Sequence, residues 1–227
     1  HSFPTRRSSD LNAAGSYNSQ RYSRLDQVNR SNVRSLRLKW TYQFDSTSRT
    51  IEATPLVAGS IMYVTAPPGD LIALRTETGA RLWLYRYPLP DRLHAEATVN
   101  RGVAVQGERL FMGTLNAHLI AIDARTGEPL WDTEVAKSDE GYSITSAPLI
   151  VNGKVVIGVS GSEYGVRGFL DAYDVKTGER VWRFHTVPGT SEPGNETWTG
   201  DSWKTGGGGT WVTGDRKSTR LNSSHER

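Results

Sequence analysis

Between residues 53 and 184 the chain is a succession of short apolar runs broken by Gly, Pro, Asp and Asn, and inside the runs apolar side chains alternate with small or polar ones. This is strand periodicity with turns at close intervals, and it predicts an all-β fold. Three runs double back on hairpin turns at Gly59, Gly107 and Gly153, in PLVAGSIMYV, VAVQGERLFMG and PLIVNGKVVIGV. After each comes one phrase written three times: ALRTETGARLW at 73–83, AIDARTGEPLW at 121–131 and AYDVKTGERVW at 172–182. Self-similarity at a period of roughly fifty residues indicates stacked copies of one supersecondary unit, the blade of a β-propeller.

From turn glycine to Trp the first two copies count 24 residues and the third counts 29, so five residues are inserted near 160–168 (SGSEYGVRG). Insertions in such repeats fall in loops on one face, often the binding face. Within the phrase, Thr-Gly predicts a tight turn whose glycine takes positive φ, and Asp123 and Asp174 are placed to bond the turn backbone. Arg75 replaces that Asp in the first copy, so its turn must rely on other contacts. The Trp offers a broad flat body suited to wedging between adjacent sheets.

The flanks read differently. Leu25, Val28, Val33 and Leu36 can share one face of a short helix over 25–36, and 39–44 (KWTYQF) alternates like a strand. The connection over 186–209 is rich in glycine, yet Trp198 and Trp203 predict that it is ordered and packed. Its run from Gly206 to Gly209 is no phosphate loop, because no Gly-Lys-Ser/Thr follows.

The net charge of +3 suggests a mildly basic protein only until the ends are set aside. Residues 1–11 and 215–227 match translations of sequencing-library adapters, and they are expected to be non-native ends flanking a body at 12–214. They carry the whole excess charge, leaving the body neutral with no basic stripe for nucleic acid. The absence of cysteine excludes disulfides and thiolate metal sites. No apolar run is long enough to span a bilayer. His94, His118 and His185 lack ligand spacing and are expected to be structural or solvated.

The triple phrase resembles the tryptophan-docking motif of eight-bladed quinoprotein propellers, and nearly all of 12–214 is similar to the pyrroloquinoline quinone (PQQ)-dependent alcohol and methanol dehydrogenases. QRYSRLDQVNRSNVRSLRLKW resembles the start of their mature chain, and SGSEYGVRGFLDAYDVKTGERVW their most distinctive internal segment. The resemblance implies an incomplete eight-bladed propeller with about three to four blades present. It also implies site residues. Glu52 in IEATPLV would contact the quinone edge, and Arg101 in VNRG would pair with a PQQ carboxylate. Thr145, Ser160 and Gly161 would line the carboxylate end, with Ser162 standing where alanine is common. Glu163 would ligate calcium, or a lanthanide in its place, and Trp211 would stack on the ring with Thr210 beside it.

These residue types suit the chemistry. A flat tricarboxylated quinone needs a stacking face, a bidentate cation and hydroxyl donors, and a hard cation needs carboxylate oxygen. By the family mechanism, calcium polarises the quinone, an aspartate takes the alcohol proton and hydride passes to the cofactor. Two departures stand out. Ala95 and Glu96 occupy the place of adjacent cysteines in relatives of the methanol-oxidising type, so no vicinal disulfide ring can form there. The aspartate base and the second calcium ligand are expected beyond Gly214, which leaves the isolated chain inactive. The expectation is a periplasmic alcohol oxidoreductase passing electrons to a cytochrome c-type acceptor. A non-catalytic propeller scaffold of the outer-membrane assembly type, or a PQQ-dependent sugar dehydrogenase, is the alternative.

Overall fold

Three four-stranded antiparallel meanders account for the repeated text, in a computed structural model that describes residues 10–11, 26–45, 50–91, 93 and 98–210. A short strand β1 (Asp10–Leu11) comes first in the chain. The first blade contains β2 (Leu56–Ala58), β3 (Ile61–Ala66), β4 (Asp70–Arg75) and β5 (Arg81–Arg86). The second contains β6 (Ala104–Gln106), β7 (Arg109–Gly113), β8 (His118–Asp123) and β9 (Pro129–Glu134). The third contains β10 (Leu149–Val151), β11 (Lys154–Gly158), β12 (Phe169–Asp174) and β13 (Arg180–His185). The first strands of successive blades, β6 and β10, touch one another, so the blades converge on these inner strands.

The first two blades are buried on both faces, which explains the nearly unbroken apolar runs. In β7 and β8, Leu110, Met112, Ile120 and Ile122 enter the core shared with the first blade, while Phe111, Leu119 and Ala121 enter the core shared with the third. Alternation along a strand here sorts side chains between two neighbours rather than between core and solvent.

The repeated phrase is the seam between blades. Gly79, Gly127 and Gly178 have φ of 71, 79 and 72°, as the Thr-Gly turns predict. Asp123 Oδ1 accepts from the N–H of Arg125 and Thr126 at 2.8 and 3.0 Å, and Asp174 does the same for Lys176 and Thr177. In the first copy, where Arg75 stands, the Thr76 hydroxyl adds a bond to Ser60 O beside the N–H bond that has counterparts at Ala124 and Val175. Each glycine also receives an indole from the preceding segment. A Cβ on Gly127 would lie 2.7 Å from Trp83 Cε3, and one on Gly178 would lie 2.7 Å from Trp131 Cδ2. The Trp83 indole N–H donates to Ala124 O at 3.2 Å, and the Tyr63 hydroxyl reaches the same carbonyl at 2.9 Å. Burial, with Asp123 nearby, pushes the Tyr63 phenol up to about 12.

Trp40 does for Gly79 what Trp83 does for Gly127, with its N–H donating to Thr76 O at 2.9 Å. It lies outside the three copies of the phrase. The segment 36–45 belongs to no strand, although its alternation holds: Trp40, Tyr42 and Phe44 pack on the outer core of the first blade. The helix expected over 25–36 is not formed in its described part, where only a 3-10 turn, Val33–Ser35, appears. Asn29 Oδ1 accepts from Ser31 N–H, Asn32 Oδ1 from Asn29 N–H, and the Asn32 amide donates to Gln27 O. These local bonds compete with helix, and Val28, Val33 and Leu36 stay exposed with no core to drive it. Leu25 lies outside the described residues. Strand β1, within the end expected to be non-native, adds to the edge of β6; an open strand edge accepts any extended segment.

A second tie joins the third blade to the second. Asp171 is fully buried and takes a bidentate bond from Arg183, at 2.8 and 2.7 Å, together with the Tyr173 hydroxyl at 2.7 Å. Arg183 also donates to Val135 O and lies 3.5 Å over the Phe169 ring.

Replacing Gly127 by Ala is expected to destabilise the fold by about 2–4 kcal/mol, since it adds left-handed strain to overpacking against Trp83. An unchanged urea midpoint would contradict the docking role. Asp171→Ala strands the Arg183 charge and is expected to lower unfolding free energy by about 3–5 kcal/mol in the same assay.

Candidate functional site

Three of the predicted site residues stand at nearly the same place in three successive blades. Glu52, Arg101 and Thr145 each stand three or four residues ahead of an inner strand, β2, β6 and β10. Because inner strands converge, equivalent positions become neighbours. Arg101 Nη2 meets Glu52 Oε2 at 2.6 Å, and the Arg101 N–H donates to Thr145 O at 3.0 Å. The Thr145 and Ser160 hydroxyls lie 3.1 Å apart. Glu52, Arg101, Thr145 and Ser160 thus form a continuous polar line across the inner ends of all three blades. The sequence treats Glu52 and Arg101 as separate contacts; the fold makes them an ion pair.

Ser160 opens the inserted loop, which joins β11 to β12, where the other blades have much shorter turns. A two-way backbone bridge to Ser143 fixes its start. Gly161 follows with φ of 124° and packs against Gly141 O so closely that no Cβ fits. The loop then makes a 3-10 turn, Ser162–Tyr164. Ser162 Oγ accepts the Gly209 N–H at 2.9 Å, which ties the insertion to the glycine run. Glu163, in the same turn, is exposed.

The 186–209 connection is ordered, as its tryptophans predict. Trp198 covers Gly206, and Arg167 lies 4.8 Å over the Trp203 ring. Arg167 also donates to Val187 O at 2.8 Å and to Glu192 at 2.7 Å, while Gly207 pairs with Val166 and Gly168. The insertion and this connection are therefore stitched together, and they deliver Thr210. Its N–H donates to Val159 O at 2.7 Å and its hydroxyl to Phe169 O at 3.1 Å. Trp211, Ala95, Glu96 and His94 lie outside the described residues.

No group of three His, Cys, Asp or Glu side chains that could hold a metal occurs among the described residues, so Glu163 supplies a carboxylate without a completed ligand set. On the same face, a cleft of about 510 Å³ is lined by Asn116, His118, Glu134 and Lys137 among others. His118 Nδ1 is 2.7 Å from Asp132 Oδ1, whose other oxygen accepts the Tyr87 hydroxyl. Burial pushes Tyr87 up to about 12. The sequence offers no spacing that ties these residues together.

The fold is that of a tryptophan-docked propeller, the architecture of the quinoprotein class, with a polar line of Glu52, Arg101, Thr145 and Ser160 near where its inner strands begin. The chain belongs to the PQQ family described as the glucose/ethanol/alcohol dehydrogenase β-propeller domain, which it matches over residues 12–218. It is 44% identical over 214 residues to a quinohemoprotein alcohol dehydrogenase, ADH IIB, of Pseudomonas putida, covering 88% of this chain and 31% of that protein. It is 44% identical over 177 residues to the 1-butanol dehydrogenase (cytochrome c) of Thauera butanivorans, covering 76% of this chain and 25% of that one. The structure of a europium-containing methanol dehydrogenase superposes with a TM-score of 0.83 at 38% identity, over 89% of this chain and 39% of that chain. The chain spans about a third of the length of such relatives.

The Gly189 N–H, and less strongly the Arg167 guanidinium, hold the Glu192 carboxyl below its ordinary range. A depressed carboxylate contributes stability above its unfolded pKa and loses it as pH falls through the folded one. The Arg167–Glu192 latch is therefore expected to loosen only in acid. Amide exchange at Gly189 and Gly207, corrected for intrinsic rates, should lose protection there, and Glu192→Gln should remove the pH step.

Proposed function

We propose that the chain is the cofactor-clasping portion of a longer PQQ-dependent dehydrogenase that oxidises a primary alcohol, working in the periplasm with a cytochrome c-type acceptor. The observation that carries this reading is the Glu52–Arg101–Thr145–Ser160 line, which crosses the three blades. A non-catalytic scaffold gives that line no work. The ends at 1–11 and 215–227 are read as non-native and without part in the activity.

The donor set fits the cofactor. Arg101, whose side chain is 19% exposed, would pair with a carboxylate of the ring system in a setting largely shielded from water. Thr145 and Ser160 would donate hydroxyl hydrogen bonds beside it, and Gly161, which packs without a Cβ on Gly141 O, would fix the loop backbone next to them. Thr210 sits against Gly158 as Ile144 sits against Gly113, so in sequence register Trp211 follows Thr210 as Thr145 follows Ile144. That register supports Trp211 as the stacking face. For the metal, Glu163 would give up to two oxygens. A calcium ion takes six to eight, and the remainder would come from outside the described residues.

When bound, PQQ supplies the oxidant that takes up the electrons and hydrogen removed from the alcohol carbon. The chain's own residues bind it, fix its carboxylate end and carry one ligand of the ion. None of the described residues is assigned as the base.

Apo-protein from the complete gene product is expected to bind PQQ in a calcium-dependent manner and then reduce dye with a primary alcohol. Arg101→Ala should weaken PQQ binding by tenfold or more, and Glu163→Ala should abolish the calcium dependence. Binding that ignores both changes would overturn the assignment.

A further inference from the structure

Arg101 reaches the polar line from a kinked backbone that one buried amide holds in place. Gly102, immediately after it, has φ of 121° and packs against Thr54 O, where an added Cβ would lie 3.2 Å away. Asn100, immediately before it, is 4% exposed. Asn100 Oδ1 accepts the Gly102 N–H at 2.9 Å and so closes a ring over Arg101. Its amide nitrogen donates to Gly113 O at 2.8 Å, anchoring that ring to the last residue of β7. Its backbone carbonyl accepts the Thr65 hydroxyl of the first blade at 3.2 Å. All three links are buried.

The same seam in the other repeats is built differently. Ile144 and Thr210 stand where Asn100 stands: Ile144 N–H donates to Thr114 O, and Thr210 N–H to Val159 O. Ile144 merely fills space against Gly113. An amide with both ends engaged occurs in the copy that delivers a cation. Stacking blades does not require it, since the third blade seats itself through Ile144.

We infer that Asn100 is a positioning residue for Arg101: by clasping Gly102 and Gly113 it fixes the guanidinium at the convergence of the inner strands, and so sets the affinity for the carboxylate end of the cofactor. This rests on the proposed PQQ site. A buried, doubly bonded amide has little freedom, and removing it leaves the Gly102 N–H and the Gly113 carbonyl without these partners. The kink at Arg101 then loses its side-chain clasp and rests on the backbone bonds to Thr145 and Thr54. A guanidinium displaced by about an ångström loses the bidentate alignment that gives such pairs their strength.

The test is a titration of the apo form of the complete gene product with PQQ at fixed calcium, followed by tryptophan fluorescence, for Asn100→Ala, Arg101→Ala and the double variant. Asn100→Ala is expected to raise Kd by about tenfold or more. In the Arg101→Ala background the same change should alter Kd by less than twofold, because a residue that acts through another is silent once that other is gone. A Kd within twofold of the parent's with only a lower Tm would make Asn100 purely structural and overturn the inference, as would equal losses in both backgrounds. Should Asn100→Ala fail to fold, Asn100→Ser, whose hydroxyl can still accept from Gly102, serves in the same cycle. If Arg101→Ala binds PQQ as tightly as the parent, the cofactor-site reading falls and takes Asn100 with it. A loss with Arg101→Ala but none with Asn100→Ala sinks only the role of Asn100.

Discussion

The contact on which the rest of this molecule depends is a flat indole lying on a glycine. Trp40 on Gly79, Trp83 on Gly127 and Trp131 on Gly178 repeat it three times, and in each the glycine has both positive φ and no room for a Cβ. The indole N–H bonds a carbonyl of the neighbouring turn, which fixes orientation as well as distance. Spacing and rotation between blades follow from that geometry. The buried cores between the sheets then fill a gap whose width is already set, with the Asp171–Arg183 pair as an added tie.

Repetition of one docking geometry has a functional consequence. When blades are rotated copies about a common axis, the residue just ahead of each inner strand comes to the same height near that axis. Nearly equivalent positions in the repeat can then bring different chemical groups together. Here the Glu52 carboxylate meets the Arg101 guanidinium, the Arg101 N–H bonds the Thr145 carbonyl, and the Thr145 hydroxyl lies within hydrogen-bonding distance of Ser160. The inserted loop between β11 and β12 departs from the repeat and carries Gly161, packed on Gly141 O, and the exposed Glu163. The 186–209 connection holds that loop through Arg167, Glu192 and Ser162.

Much of this was legible in advance. Three copies of a phrase gave the architecture, the unequal spacing located the insertion between the second and third strands of its blade, and Asp123 and Asp174 bond their turns as residue type suggests. Trp198 and Trp203 correctly marked a packed connection. The helix over 25–36 failed for a physical reason: apolar spacing alone cannot outweigh asparagine side chains that satisfy the backbone locally when no partner face is available. Trp40 is not legible as a docking residue because it stands outside the repeated phrase, although its contact is the same.

The sequence by itself determined the blade, its turns, the tryptophan-glycine seam and the identity of the polar groups, because these depend on residue type and on spacing within one repeat. Tertiary structure alone decided that Glu52 and Arg101 form a pair, that Asn100 clasps Gly102 and Gly113, and that Asp132 joins His118 to Tyr87. Such contacts join residues of different blades or bend the backbone locally. Their distances are set by how sheets converge on an axis, a quantity that no count of residues along one chain contains.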